Sequence, residues 1–350
     1  MDEIRIGIIG VGYWGPNLVR NYIALPDADV VGVADLRRER LEHIKTLYPR
    51  VIVTEDYQDF FTMDLDAVAV VTPPPTHYQI GRDCLQHGMN TFIEKPITLN
   101  SADAINLINI ARQANLTLMV GHTFEYNPAV RKVKELIDNQ VLGDIHYINT
   151  ERLNLGLFQS GLNVLWDLAP HDISILNYIL GMDPVYVSAH GSDFIFDGKD
   201  DVAFLYLEYP EKIVAHVHVS WLDPCKTRKI TVVGSEKMLV YDDVESLEKI
   251  RIYDKGVERP PYTDTFGEFQ CSYRYGDVVI PHIDFTEPLR VECQHFIDCI
   301  RKEERHPLSC GYDGLRVVRV LELAQRSLDN GGKYERVDID QLFVPSVSVA

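Results

Sequence analysis

The chain has 350 residues, more than a single hydrophobic core usually serves, so two domains are expected. Its 34 Lys and Arg against 52 Asp and Glu leave a formal charge of -18, a field that repels nucleic acid and anionic membrane surfaces. No apolar run approaches the roughly 20 residues of a spanning helix. The opening MDEIRIGIIG lacks a signal-peptide pattern, and six cysteines without a C-x-x-C pair fit a reducing cytoplasm and offer no zinc framework.

In chain order, the first 121 residues alternate short apolar runs with amphipathic stretches. The runs Arg5–Ile9, Val30–Ala34, Val51–Val53, Ala67–Val71, Thr91–Ile93 and Leu116–Val120 are nearly continuous Val, Ile and Ala, as parallel strands covered on both faces require. Between them lie helical segments such as Thr76–His87, with Gly88 where a C-cap belongs, and Ser101–Asn115. This rhythm predicts an α/β chain whose residues 1–121 form a doubly wound Rossmann sheet. Residues 122–350 read differently. A helix at Pro128–Asn139, a strand at Ile145–Arg152 and a helix around Trp166–Leu180 precede strands at Val185–His190, Val202–Tyr209, Ile213–Trp221, Lys229–Gly234, Lys237–Tyr241 and Lys249–Tyr253. Links such as 210–212 and 234–236 suit hairpins, and helices near Leu289–Arg301 and Tyr312–Leu328 follow. The second domain is therefore expected to carry a large open antiparallel sheet. Residues 254–288, rich in Tyr, Phe and Pro, read as an irregular lid, subunit contact or packed loop.

The first strand runs into Gly10-Val11-Gly12-Tyr13-Trp14-Gly15, a helix follows, and the second strand ends at Asp35, twenty residues past Gly15. Gly10 permits a tight turn, Gly12 lets the backbone approach a pyrophosphate, and Gly15 allows close helix–strand packing. The free N–H groups of the helix start suit phosphate. Asp35 would accept from ribose hydroxyls and repel a 2′-phosphate, which favours NAD over NADP, although Arg37 or Arg38 could reach such a phosphate. A glycine turn that binds nothing is the bland alternative.

Ligands of an open parallel sheet lie beyond the carboxyl ends of its strands. There one strand enters Thr72-Pro73-Pro74-Pro75-Thr76-His77 and another enters Glu94-Lys95-Pro96. Lys95 could hold a substrate hydroxyl and stabilise its developing alkoxide; a lysine paired with Glu94 at a surface turn reads equally well. In Trp166-Asp167-Leu168-Ala169-Pro170-His171, Asp167 and His171 share one helix face if both are helical. Pro170 favours the first turn, which would put Asp167 at or near the N-cap. Either way a carboxylate lies one turn from an imidazole, as a general acid–base pair needs, against an Asp cap beside a surface histidine. His216 and His218 share a strand face but lack a third ligand, so no metal is expected.

Taken together, GIIGVGYWG at 7–15, TPPPTHY at 72–78, EKP at 94–96 and WDLAPHDISIL at 166–176 resemble the glucose–fructose oxidoreductase / inositol dehydrogenase (Gfo/Idh/MocA) family over nearly the whole chain. The resemblance implies a Rossmann domain, then an α/β domain whose open sheet commonly forms homodimer or homotetramer contacts. It implies that Lys95 touches nicotinamide and substrate, that Asp167 and His171 form the D-x-x-x-H pair, and that Tyr13, Trp14, Thr72, Pro73, His77, Glu94 and Trp166 line the cofactor. GYWGPNLVRN, NVLWDLAPHD and EPLRVECQHF are similar to nucleotide-sugar and surface-polysaccharide members, including UDP-N-acetylglucosamine 3-dehydrogenases. Many relatives carry an Arg pair where this chain has Phe124-Glu125, so substrate contacts there do not carry over.

The expected activity is hydride transfer between NAD and a ring carbinol carbon of a sugar, with Lys95 and His171 at the reacting hydroxyl and Arg152, Asn154 and Asn163 as substrate ligands. The alternatives are an inositol or free-sugar dehydrogenase, a keto-sugar reductase, or a non-catalytic NAD-binding regulator.

Overall fold

The structure, a computed structural model, describes residues 3–156, 158, 161–258 and 272–338. The chain divides into two compact units. One holds Met1–Asn127 and Thr286–Glu322; the other holds Pro128–Phe285 and Leu323–Asp338.

The first unit begins with β1 (Ile4–Ile9), α1 (Gly15–Ile23), β2 (Ala28–Ala34), α2 (Arg38–Leu47), β3 (Ile52–Thr54), β4 (Ala67–Val70), α3 (His77–Gln86), β5 (Asn90–Glu94), α4 (Ser101–Gln113) and β6 (Leu118–Gly121). The strands lie parallel in the order β3-β2-β1-β4-β5-β6. That order reverses direction at β1/β4, so the carboxyl ends of these strands open a crevice there. All four residues of β4 are buried, and Ile6, Ile8 and Ile9 of β1 are buried too, which accounts for their uninterrupted apolar character.

The second unit contains α5 (Pro128–Asp138), β7 (Ile145–Leu153), α6 (Val164–Leu180), β8 (Tyr186–Ser192), β9 (Val202–Glu208), β10 (Val214–Ser220), β11 (Thr227–Gly234), β12 (Met238–Asp242), β13 (Ile250–Glu258) and β14 (Ser272–Val279). Its nine-stranded sheet runs β14-β13-β12-β11-β7-β10-β9-β8-β15, the last strand being Glu335–Arg336. The sheet is mixed rather than purely antiparallel, because β7 and β10 pair in parallel. A parallel pair needs a crossover, and α6, β8 and β9 supply it. One face buries Ile148, Leu205, Val217, Ile230 and Leu239, with α6 packed against β7, β9 and β10. The opposite face presents Tyr147, Tyr186 and Phe204, all exposed. The 254–288 stretch is less irregular than its composition suggests, since β13 and β14 pair as an antiparallel edge; its residues 259–271 fall outside the described ones.

The helices α7 (Pro288–Arg301) and α8 (Gly311–Asp329) come late in the chain. Division at residue 121 does not match the compact units. Leu289, Cys293, Phe296 and Ile297 of α7 are buried in the same apolar cluster as Ile8, Tyr22 and Phe92, and Cys310 bridges to Met119 on β6. Periodicity identifies α7 as amphipathic but carries no record of which core it covers.

Candidate active site

The turn after β1 is dictated by its glycines. Gly10 has φ of 97°, and a Cβ there would lie 2.7 Å from the Val71 carbonyl oxygen. A Cβ on Gly15 would collide with the Gly10 carbonyl oxygen, whereas a Cβ on Gly12 would meet only Arg40 Nη1, at an ordinary contact distance of 3.5 Å. Helix α1 starts behind Trp14 with no side-chain cap and no acidic residue in its first turn, so no side chain of that turn competes for the N–H groups a phosphate would take. A cavity of about 270 Å³ beside it is lined by residues including Gly12, Pro16, Arg40 and His43. Tyr13 is exposed at the turn, and Trp14 is just over a third exposed. These features fit a dinucleotide.

Asp35 braces the turn. Its Oδ2 accepts from the Val11 N–H at 2.8 Å and its Oδ1 from the Arg37 N–H at 2.8 Å, with Arg40 Nη1 3.5 Å from Oδ2. The cation at the cavity is thus Arg40, which the sequence reading did not single out; Arg38 pairs with Glu42 on the surface.

At the next two strand ends, Thr72 and Lys95 are half-buried and Pro73 is exposed. His77, expected to line the cofactor, is buried instead. Its Nδ1 lies 2.8 Å from the Pro96 carbonyl and its Nε2 2.7 Å from the Thr72 carbonyl, so the ring ties the two loops together. Glu94 is also buried. Burial raises its carboxyl to about 7, while the Lys95 charge, the Lys95 amide and the Trp14 side chain pull the other way. The Lys95 N–H reaches Glu94 Oε2 at 3.2 Å. Behind them, burial and then the Lys95 charge lower His122 to about 3, so its ring is neutral. On α7, burial and then Glu94 push the Glu292 carboxyl well up, and the Thr123 hydroxyl donates to its Oε2 at 2.7 Å. His122 does not stand out in the sequence, because its segment has no motif of its own, and Glu292 lies within EPLRVECQHF, whose wording shows a likeness to relatives but no role for this carboxyl.

The second unit carries its own constellation on α6. Asn163 is the N-cap, its carboxamide oxygen accepting from the Trp166 N–H at 3.2 Å. Asp167 is therefore not the cap, and Pro170 lies inside the helix rather than in its first turn. Lacking an N–H, Pro170 cannot bond the Trp166 carbonyl one turn back. Asp167 and His171, both helical and four apart, share a face. The Trp221 indole N–H donates to Asp167 Oδ2 at 3.0 Å, a partner that spacing could not reveal.

Two expected substrate ligands are engaged within the fold. Arg152 is buried, with Nε 2.6 Å from Asp172 Oδ2 and Nη2 3.4 Å from Asp172 Oδ1, which locks β7 to α6 beside His171. The Asn163 amide nitrogen donates to Gln325 Oε1 at 2.9 Å in addition to its capping role. Asn154 remains exposed at the end of β7. His216 and His218 stack with Phe204, at 6.0 and 4.2 Å between centroids. Among the described residues no group of three or more His, Cys, Asp and Glu gathers as a metal site, and no helix is long and apolar enough to cross a membrane.

Residues 4–122 match the model of the GFO/IDH/MocA oxidoreductase family, NAD-binding Rossmann fold, and residues 130–240 match the GFO/IDH/MocA C-terminal domain. The chain is 28% identical over 268 residues to UDP-N-acetylglucosamine 3-dehydrogenase of Acidithiobacillus ferrooxidans, covering 75% of this chain and 80% of the relative. It is 25% identical over 341 residues to myo-inositol 2-dehydrogenase of Thermotoga maritima, covering 93% and 96%. The solved structure of the Acidithiobacillus ferrooxidans enzyme superposes with a TM-score of 0.77 at 24% identity, covering 94% of this chain and 99% of that one, a likeness of fold.

Proposed function

Because the chain belongs to the GFO/IDH/MocA oxidoreductase family, with its NAD-binding Rossmann domain, we propose that it transfers hydride between NAD and a ring carbinol carbon of a nucleotide sugar of the UDP-N-acetylhexosamine class, at carbon 3. The substrate class rests on the similarity to UDP-N-acetylglucosamine 3-dehydrogenase together with the GYWGPNLVRN and NVLWDLAPHD wording.

Bound NAD supplies the hydride acceptor. The Gly10–Gly15 turn and the start of α1 would hold its pyrophosphate, and Asp35 would meet the adenosine ribose. Lys95 holds the carbinol oxygen and stabilises the alkoxide that develops on it. His171, oriented by Asp167, takes the hydroxyl proton as the carbon releases hydride. Atoms balance: the carbinol becomes a carbonyl, two electrons and one hydrogen leave as hydride, and one proton rests on the imidazole. Trp221 steadies the Asp167 carboxylate that orients the base.

The observation that carries this reading is the half-buried Lys95 at the β5 end, set beside a neutral His122 and the Glu94 carboxyl, in a unit whose first turn leaves Gly12 open. The test is incubation with NAD and a panel of UDP-sugars, following NADH absorbance and product mass. Lys95→Ala is expected to cut turnover about 10²–10⁴-fold with NAD affinity nearly unchanged; near-normal turnover sinks the mechanism. Turnover of inositols in place of UDP-sugars would move the substrate to the family's inositol branch. We further propose a cytoplasmic homo-oligomer in which the outer face of the second sheet, with Tyr147, Tyr186 and Phe204 exposed, meets another copy. Phe204→Glu should then lower the mass measured by light scattering.

A further inference from the structure

Four buried polar atoms around the β5 and β6 ends of the first unit have no hydrogen-bond partner among the described residues: Glu94 Oε1, Glu292 Oε1 and both ring nitrogens of His122. The strand register explains why they gather. Glu94 is paired with Gly121, which places the following residue, His122, beside Lys95. Gly121 leaves the space that Glu94 occupies, since a Cβ there would lie 2.9 Å from the carboxyl carbon. Thr123, next along, donates to Glu292 from α7.

The protonation states make these atoms chemically complementary. A neutral imidazole has one N–H donor and one bare nitrogen, and a neutral Glu292 has one O–H, while Glu94 Oε1 accepts. Two donors and two acceptors are therefore buried around these strand ends. Leaving all four unsatisfied away from solvent is costly, whereas ordered water bridging them satisfies every one. We propose that Glu292 and His122 form with Glu94 a single enclosed, water-bridged hydrogen-bond site that keeps the Glu94 carboxylate fixed behind Lys95, making Glu292 a positioning residue for the lysine. This rests on the reading that Lys95 works on substrate.

The ionisable groups facing the pair come from every neighbouring element: Tyr22 on α1, Lys95 after β5, His122 and Tyr126 after β6 (Tyr126 facing Glu125 as well), and Cys293 on α7. Burial pushes the Tyr22, Tyr126 and Cys293 groups up and His122 down, so at neutral pH they are uncharged. Lys95 is the one positive charge in that set.

Infrared difference spectroscopy of the full chain against pH tests the site without any substrate. The protonated-carboxyl band should titrate near 7, where Glu94 is placed, and Glu94→Gln should remove that titration. Glu292→Leu takes a donor from the Glu94 carboxylate, so the midpoint should rise by about one pH unit. Glu292→Gln keeps an N–H donor and the volume, and should leave it in place. If Glu292→Leu does not fold, His122→Phe removes the other donor and should give the same rise. An unmoved midpoint in a folded donor-less variant overturns the proposal, as does an equal rise in Glu292→Gln. Full activity of Lys95→Ala would end the hydride-transfer reading alone, without altering what the infrared titration says about the network.

Discussion

The Gly10–Gly15 turn and the α6 site achieve order by opposite means. At the turn, backbone geometry does the work: glycines are required where a Cβ would strike Val71 or Gly10, and the groups offered to a ligand are amides. At α6, side chains do it. Asp167 is held by Trp221, and the helix is locked to β7 by the buried Arg152–Asp172 pair. A backbone site depends on what is missing at a position, and a side-chain site depends on partners being complete.

That contrast can be broken or sharpened by substitution. The largest effect should come from Arg152→Ala, which strands the Asp172 charge in the interior and should cost about 3–5 kcal/mol of unfolding free energy, measured by urea denaturation; a loss below about 1 kcal/mol would mean the pair locks nothing. Next is a pH effect in the first unit. Burial raises Glu94 from 4.5 to about 7, so the folded chain keeps a proton that the unfolded chain releases. Its stabilising contribution is complete below pH 4.5 and is lost as pH rises through 7, an amount on the order of 3 kcal/mol. Glu94→Gln should flatten that part of the stability-versus-pH curve, and an unchanged slope would assign the titration elsewhere. Gly15→Ala should cost about 1–3 kcal/mol by overpacking the turn and weaken NAD binding in calorimetry, while Gly12→Ala should harm binding more than stability. The smallest effect should be Trp221→Phe, which deletes one hydrogen bond to Asp167 at about 1 kcal/mol; turnover should fall severalfold with NAD affinity intact.

Most of the first unit was legible because its signals are local. Strand runs, the glycine spacing, Asp35 and the E-K-P strand end all lie within short windows. The same locality explains what stayed hidden. Arg40 enters the cavity only because α2 turns it there, and Glu292 feels the Glu94 charge from 198 positions away along the chain. Arg152 and Asn163 looked available for substrate because polarity is visible in a sequence and partnership is not. The parallel β7–β10 pair escaped for a related reason: hairpin-like links describe neighbours in sequence, while this pairing joins strands with a helix and two strands between them.

The placement of α7 bears on how the chain is made. Leu289, Cys293, Phe296 and Ile297 close a cluster otherwise formed by residues 6–126. During synthesis from the N-terminus, that cluster lacks its cover until translation has passed residue 297. The nascent Rossmann segment therefore presents an uncovered apolar surface from residue 126 to residue 297 of elongation, a window in which chaperone occupancy should be highest and a ribosome stalled before α7 should yield a protease-sensitive product.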